Sequence, residues 1–347
     1  MIIRSPSPSP PRRGASSIAP TAVYDTYWFF AAERLATYYR RIAGLRGPWS
    51  IDPILNTYRF TNTFRAADRV SQYLIREIQY NEFRSQDPDE LFFRTLLFKI
   101  FNKIETWERL ESVLGPLSWS DTPMEQIDAT LESIIRDRRS IYSAAYIMPV
   151  PALGGIRKHS NHLRLLGRMM ADRLPDRIRQ APDLQSVFEH LLQYPGIGRF
   201  LAFQYAIDLN YSSLLDFEES FVIAGPGALD GIAKCFGAAA VEFPEEIIYH
   251  VTERQADELT KRGLNFAGLF GRPLHPIDVQ NLFCEVSKYA RVAHPNVVGI
   301  SNRTRIKQIY RTSDRPFSPP MFPPKWNVQC DGFAEGTAKP SKQFLLI

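Results

Sequence analysis

Apolar positions in this chain recur mostly at helical intervals. Leu184, Val187, Phe188, Leu191 and Leu192 fall at i, i+3, i+4, i+7 and i+8, one face of an amphipathic helix. Asp183 stands where its carboxylate caps the first turn. Pro195 ends that helix, because proline lacks an N–H and disfavours a helical residue before it. Gly196 and Gly198 permit a tight turn and close backbone approach. A second helix is expected over residues 199–209. The pattern predicts two helices joined by Pro195-Gly196-Ile197-Gly198.

Further helices are expected over residues 24–46, 65–80, 91–114, 124–139 and 160–173, with a connector over 49–62. The first of them is rich in aromatic residues that suit a core better than a stacking surface. Strand signals are few; the run Ala239-Ala240-Val241-Glu242-Phe243 is too short to carry a sheet. Residues 1–22 read as a disordered Ser/Pro/Arg tail. Residues 23–180 read as an N-terminal helical lobe, 181–310 as a lobe containing the hairpin, and 311–347 as an irregular proline-rich tail.

Composition supports a folded helical protein. The chain has 347 residues, 44% hydrophobic and 23% charged, enough for a substantial core. Forty-two Lys and Arg against 37 Asp and Glu give a net charge of +5, compatible with a nucleic-acid partner. Cys235, Cys284 and Cys330 lie far apart, so no four-cysteine zinc site is possible and no disulfide framework is expected. No apolar run approaches a membrane span and no signal-peptide core is present at the N-terminus. No metal and no cofactor are expected. The serine-proline tail hints at a nuclear location if the source is eukaryotic.

The Pro195–Gly198 layout is that of a helix-hairpin-helix, which grips a nucleic-acid backbone without reading its sequence. The start of the second helix presents unpaired N–H groups and a positive dipole end to a phosphate, with Arg199 beside them. Three other runs accompany it. The first is Asp52-Pro53-Ile54-Leu55 followed by Arg59-Phe60-Thr61-Asn62-Thr63-Phe64-Arg65 and Asp68-Arg69-Val70. The second is Ala224-Gly225-Pro226-Gly227-Ala228 with Gly231-Ile232. The third runs from Asp278 through Asn281, Cys284, Glu285 and Lys288 to Arg291.

Taken together, the four runs resemble the helical domain of the 5-hydroxymethyldeoxyuridine DNA kinase family, which includes proposed α-glutamyl/putrescinyl-thymine pyrophosphorylases. The resemblance spans residues 24–326 and implies a mostly α, two-lobed helix-hairpin-helix DNA glycosylase-like fold. It also implies double-stranded DNA with a modified thymine or uracil as partner, and a small amine as possible co-substrate that displaces pyrophosphate from the 5-methylene. The alternatives are a non-catalytic module that recognises modified DNA, and a DNA glycosylase. The segment from Gly225 to Lys234 does not fit GxxxxGK[ST], so phosphorylation by this chain alone is not expected.

In the glycosylase-like superfamily a catalytic aspartate is expected about two dozen residues after the hairpin. Gly225-Pro226-Gly227 stands there instead. Candidate catalytic carboxylates are therefore Asp208, Glu218, Glu219 and Asp230. Candidate DNA contacts are Gly196, Gly198, Arg199, Gly225 and Gly227; the last two serve equally well as a packing turn between helices. Candidate pocket residues are Arg59, Asn62, Asp278, Glu285 and Lys288. Arg65, Asp68 and Arg69 suit an internal salt-bridge net that leaves Arg59 and Asn62 for a ligand. Glu285 and Lys288 have the spacing of a surface ion pair. His159 and His162, among arginines and a lysine, suggest a basic DNA-facing surface rather than a metal site. Cys284 reads as an inert buried thiol.

Overall fold

The computed structural model describes residues 19–144, 148–311 and 318–330. Most of the tail expected over 1–22, and the stretch after 330, lie outside the described residues. The helices are α1 (Ala22–Ile42), α2 (Pro53–Thr57), α3 (Arg69–Tyr73), α4 (Pro88–Phe101), α5 (Ile104–Leu114), α6 (Met124–Arg136) and α7 (Lys158–Ala171). They continue as α8 (Leu174–Arg179), α9 (Leu184–Leu192), α10 (Arg199–Asn210), α11 (Pro226–Phe236), α12 (Pro244–Glu253), α13 (Gln255–Lys261) and α14 (Pro276–Ala293). Extended pairing among the described residues is limited to two isolated antiparallel bridges, Tyr58–Ile309 and Leu269–Arg272.

Local chemistry sets the helix starts. Thr21, Asp52, Asp87 and Asp183 each accept a hydrogen bond from a first-turn backbone N–H. Proline opens α2, α4, α11, α12 and α14, where its missing N–H costs nothing. The single helix expected over 91–114 is two, because Asn102 adopts a left-handed conformation at φ 49°. Lys99 Nζ holds Asn102 there by donating to its side-chain oxygen at 2.7 Å. The stretch expected as one helix over 65–80 is a 3₁₀ turn (Arg65–Ala67), then α3, then a π-helical stretch (Leu74–Gln79). The strand signal near Ala239 is a 3₁₀ helix, Ala238–Glu242.

The helices pack in two groups around a continuous apolar core. In one, α4 touches α5, α7, α8 and α10, and α9 lies along α10. In the other, α11 and α14 pack against each other and against α1 and α12. The first and last helices of the chain thus share a group. Thr21 N donates to Cys235 O at 2.8 Å, and Tyr27 OH to Val279 O at 3.4 Å. A boundary at residue 180 therefore cuts across both groups.

Glycines make the α11–α14 contact possible. A Cβ on Gly231 would fall on the backbone carbonyl of Phe283, and one on Gly227 would fall on Cys284 Sγ. Residues 318–330 are also more ordered than their prolines suggest. Met321 and Gln72 exchange two hydrogen bonds of 2.8 and 2.9 Å, Phe322 is buried, and Trp326 lies under the Arg272 guanidinium at 4.0 Å. Residues 318–330 form a strap docked on the body, because its aromatics find apolar and cationic partners there.

Gly231→Ala is expected to lower stability by about 3 kcal/mol, since its Cβ meets backbone that cannot swing away. Gly198→Ala, with nothing within 4 Å of its Cβ, should leave the melting temperature within a degree or so. Thermal unfolding followed by circular dichroism separates the two.

Candidate nucleic-acid interface

The hairpin is built as its sequence suggests. Leu184, Val187, Phe188 and Leu191 bury one face of α9, and Asp183 Oδ1 accepts from Ser186 N at 2.7 Å. The turn closes through Tyr194 N to Leu191 O and Ile197 N to Tyr194 O, at 3.2 and 3.1 Å. Gly196 sits at φ +80°, a conformation that side chains disfavour, with Pro151 packed on it. Gly198 caps α10, is exposed, and supplies no side chain to the first-turn N–H groups. Space in front of it is open. Arg199 is exposed beside it, its guanidinium 5.7 Å from the centre of the Phe188 ring.

Cations lie on the neighbouring helices α7 and α8. Arg177 of α8 reaches the hairpin, donating to His190 Nδ1 and Gln193 Oε1 at 3.1 Å each. Exposed Arg164 and Arg168 come from α7. Between α6 and α9, residues 149–157 form a loop against the turn, with Pro151 on Gly196. Asn161 braces that loop. Its Oδ1 accepts from Leu153 N and Gly155 N, and its Nδ2 donates to Gly155 O and Arg157 O. The braced loop presents Ile156 to solvent at 99% exposure.

The glycine turn has a different character. Gly225 caps α11 with extended backbone (φ −80°) and is buried; a Cβ there would lie 2.6 Å from the Phe200 ring. Gly227 is pressed on Cys284. At Gly225 and Gly227 the close approach of Phe200 and Cys284 leaves no room for a side chain. Burial pushes the Cys284 thiol up to about 12, in keeping with an inert group.

Three of the four candidate carboxylates are committed to buried pairs. Asp230 takes hydrogen bonds from Ser287 Oγ and from Ser301 N at 2.7 Å, and lies 3.3 Å from Lys234 Nζ. Burial opposes its charge, but those donors and Lys234 outweigh it and hold the carboxyl below its ordinary range. Glu219 pairs with Arg272 at 2.9 Å, and burial raises its pKa. Asp208 is fully buried between Arg65 Nη1 at 2.8 Å and Lys99 Nζ at 3.3 Å. Glu218 alone is exposed.

The cluster around Asp208 joins the two helix groups. Arg65 Nε donates to Gln204 Oε1 of α10 at 2.9 Å and Nη1 to the OH of Tyr211, the residue that caps α10, at 3.2 Å. Its backbone N donates to Asp278 Oδ1 of α14 at 3.1 Å. Gln79 Nε2 donates to Asp208 O at 2.8 Å. Burial brings Lys99 down to about 8, against the upward pull of Asp208. Lys99 is the member that sequence reading missed. Its signal was present: a lysine inside Leu96-Leu97-Phe98-Lys99-Ile100-Phe101 is surrounded by apolar residues and must find a buried partner.

The pocket residues clamp a loop. Glu285 accepts from Thr61 N at 2.9 Å and from Lys288 Nζ at 2.7 Å; Lys288 lies over the Phe60 ring. Asn281 Nδ2 donates to Asn62 O at 3.0 Å. Asn62 donates its N to Asp68 Oδ1 and its Nδ2 to Ala67 O, while its buried Oδ1 has no partner among the described residues. Arg59 is exposed. Burial pushes both Asp68 and Asp278 up to about 7. His159 and His162 are buried as well, and so form no DNA-facing surface. His159 lies 3.3 Å from Asp128, and His162 bonds to Tyr142 OH and Pro149 O.

Residues 21–299 match the family model described as "5-hmdU DNA kinase, helical domain". The chain belongs to this family. It is similar to a 5-hmdU DNA kinase of Bacillus phage SP10, 25% identical over 288 residues. The alignment covers 77% of this chain and 45% of the phage protein, so the chain spans less than half of that relative. No solved structure matches. Within the family domain lie the hairpin, the glycine turn, the clamped loop and the Asp208 cluster. The residues after 299 fall beyond it.

Asp208→Asn should destabilise the fold by roughly 3–5 kcal/mol, because it leaves Arg65 and Lys99 buried without their counter-charge. Chemical denaturation measures this. A second expectation concerns pH. With its pKa raised to about 7, Asp278 stays protonated in the folded chain where the unfolded chain is ionised. Its contribution to stability is complete below the ordinary carboxylate range and is lost as pH rises through 7. Asp278→Asn should therefore cost more stability at pH 5 than at pH 8, read from denaturation curves at both.

Proposed function

We propose that this chain is a DNA-engaging domain that acts on duplexes carrying 5-hydroxymethyluracil or a base made from it. The observation that carries the reading is the open, exposed N-terminus of α10 at Gly198, with exposed Arg199 next to it and Arg177 bonded to the end of the preceding helix. Helix N–H groups and a dipole end aimed at solvent, with arginines beside them, form an anion site suited to a DNA phosphate. The family supplies the base: the phage relative is named for 5-hmdU DNA.

This reading takes the α9–α10 pair as a helix-hairpin-helix and the two packed groups as the two lobes of a glycosylase-like fold. Ile156 stands at the same edge. An exposed apolar side chain on a rigid loop beside a backbone grip suits insertion between base steps, as in proteins that kink or open a duplex.

The candidate carboxylates favour recognition over carboxylate catalysis, since Asp208, Glu219 and Asp230 are tied up in structural pairs. Support for amine transfer comes from the family resemblance alone. In that chemistry an amine nitrogen bonds to the 5-methylene carbon as the carbon–oxygen bond to pyrophosphate breaks. Nucleoside mass spectrometry of DNA carrying the activated base, incubated with protein and amines, tests it.

Gly198→Glu places bulk and negative charge in the open phosphate position, at a backbone conformation that glutamate adopts without strain. It should weaken binding to a hydroxymethyluracil duplex and flatten the slope of log affinity against log salt by about one unit. Unchanged affinity in a folded variant overturns the hairpin assignment. Ile156→Ala should keep the salt slope while reducing the fluorescence rise of a 2-aminopurine placed in the duplex. An unaltered rise rules out insertion by Ile156.

A further inference from the structure

Between Glu285 and Asp314 the sequence contains no aspartate or glutamate, yet it contains Lys288, Arg291, Arg303, Arg305, Lys307 and Arg311. The last four alternate with other residues at every second or fourth position. The structure makes a ribbon of this stretch. Arg59 N donates to Gln308 O at 3.0 Å and Tyr310 N to Thr57 O at 2.9 Å, around the antiparallel bridge between Tyr58 and Ile309. Ile306 is buried, while Arg303, Arg305 and Lys307 are exposed. The ribbon thus offers three exposed cations within five residues, with exposed Arg59 on the segment it pairs with.

Nothing described neutralises these cations. Among the described residues, none of Arg59, Arg303, Arg305 and Lys307 lies within ion-pair distance of a carboxylate. Arg291 of α14 donates to Arg305 O at 3.1 Å, and it feels both Asp230 and Arg303 electrostatically. Gathering cations without counter-charge opposes folding unless an external anion is met. Several cations along one segment fit a repeating row of phosphates, and a single small anion would engage only one or two of them.

We propose that the Arg303–Lys307 ribbon, which follows the family domain, is with Arg59 a second DNA-backbone contact, on the α11–α14 helix group. It rests on the reading above that the chain binds DNA. The hairpin belongs to the α4–α10 group, so each helix group carries one contact. The ribbon makes no base contact and adds affinity without sequence preference.

The test is the triple variant Arg303→Ala/Arg305→Ala/Lys307→Ala in the full chain, measured by fluorescence anisotropy on a short duplex across a salt series. The expected result is a salt slope shallower by about 2.7, from three lost phosphate contacts at about 0.9 each, with an unchanged melting temperature. A charge-keeping variant, Arg303→Lys/Arg305→Lys, should retain the wild-type slope. A triple variant that binds with the wild-type slope overturns the ribbon and leaves the hairpin reading standing. Wild-type protein that does not bind the duplex overturns both. Flattening in Gly198→Glu together with no flattening in the triple variant assigns the contact to the hairpin alone and rejects the ribbon.

Discussion

Arg65, Asp208 and Lys99 form the constraint on which the rest of the structure depends. Two cations share one carboxylate at full burial, at the place where the two helix groups meet. Such a cluster is costly to desolvate and tolerable only when geometry is good and the remaining donors are satisfied. Gln204, Tyr211 and Asn102 satisfy donors of Arg65 and Lys99, while Asp278 fixes the Arg65 backbone from the far group. Arg65 is thus held by α10 through its side chain and by α14 through its backbone. The relative placement of hairpin and α14 follows from that double attachment.

Conformational stiffness follows from the same arrangement. The loop before Arg65 is clamped along its length, by Arg34 on Thr61 O, Glu285 on Thr61 N and Asn281 on Asn62 O. Across the molecule, α11 lies so close to α14 that only glycine fits at 227 and 231. A rigid body with two cationic edges, one at the hairpin and one at the ribbon, suits a ligand that is itself stiff and evenly charged. Duplex DNA has both properties.

Much of this was legible in the chain. The hairpin was readable because every local signal agreed: cap, apolar period, proline stop and glycine turn all pointed one way. The lack of extended sheet among the described residues followed from equally local cues, while Cys284, expected as buried, is half-buried. What failed was reasoning about partners across long sequence separations. The hold of Asn281 on the Asn62 backbone was invisible because the two residues meet only in three dimensions. His159 and His162 looked like surface groups because their neighbours in sequence are basic, yet they point inward to Asp128, Tyr142 and Pro149. Gly225 and Gly227 left two explanations open, and the close approach of Phe200 and Cys284 supports the packing one. The split of the expected 91–114 helix was hidden because a left-handed asparagine costs little and leaves no strong mark.

The central claim is that DNA meets the backbone N–H groups at the start of α10. Amide hydrogen exchange, with and without a hydroxymethyluracil duplex, reads those groups directly. The account predicts new protection over residues 194–201, with the buried remainder of α10 unchanged. A duplex that binds and protects other surfaces while leaving 194–201 at the unbound rate would contradict it.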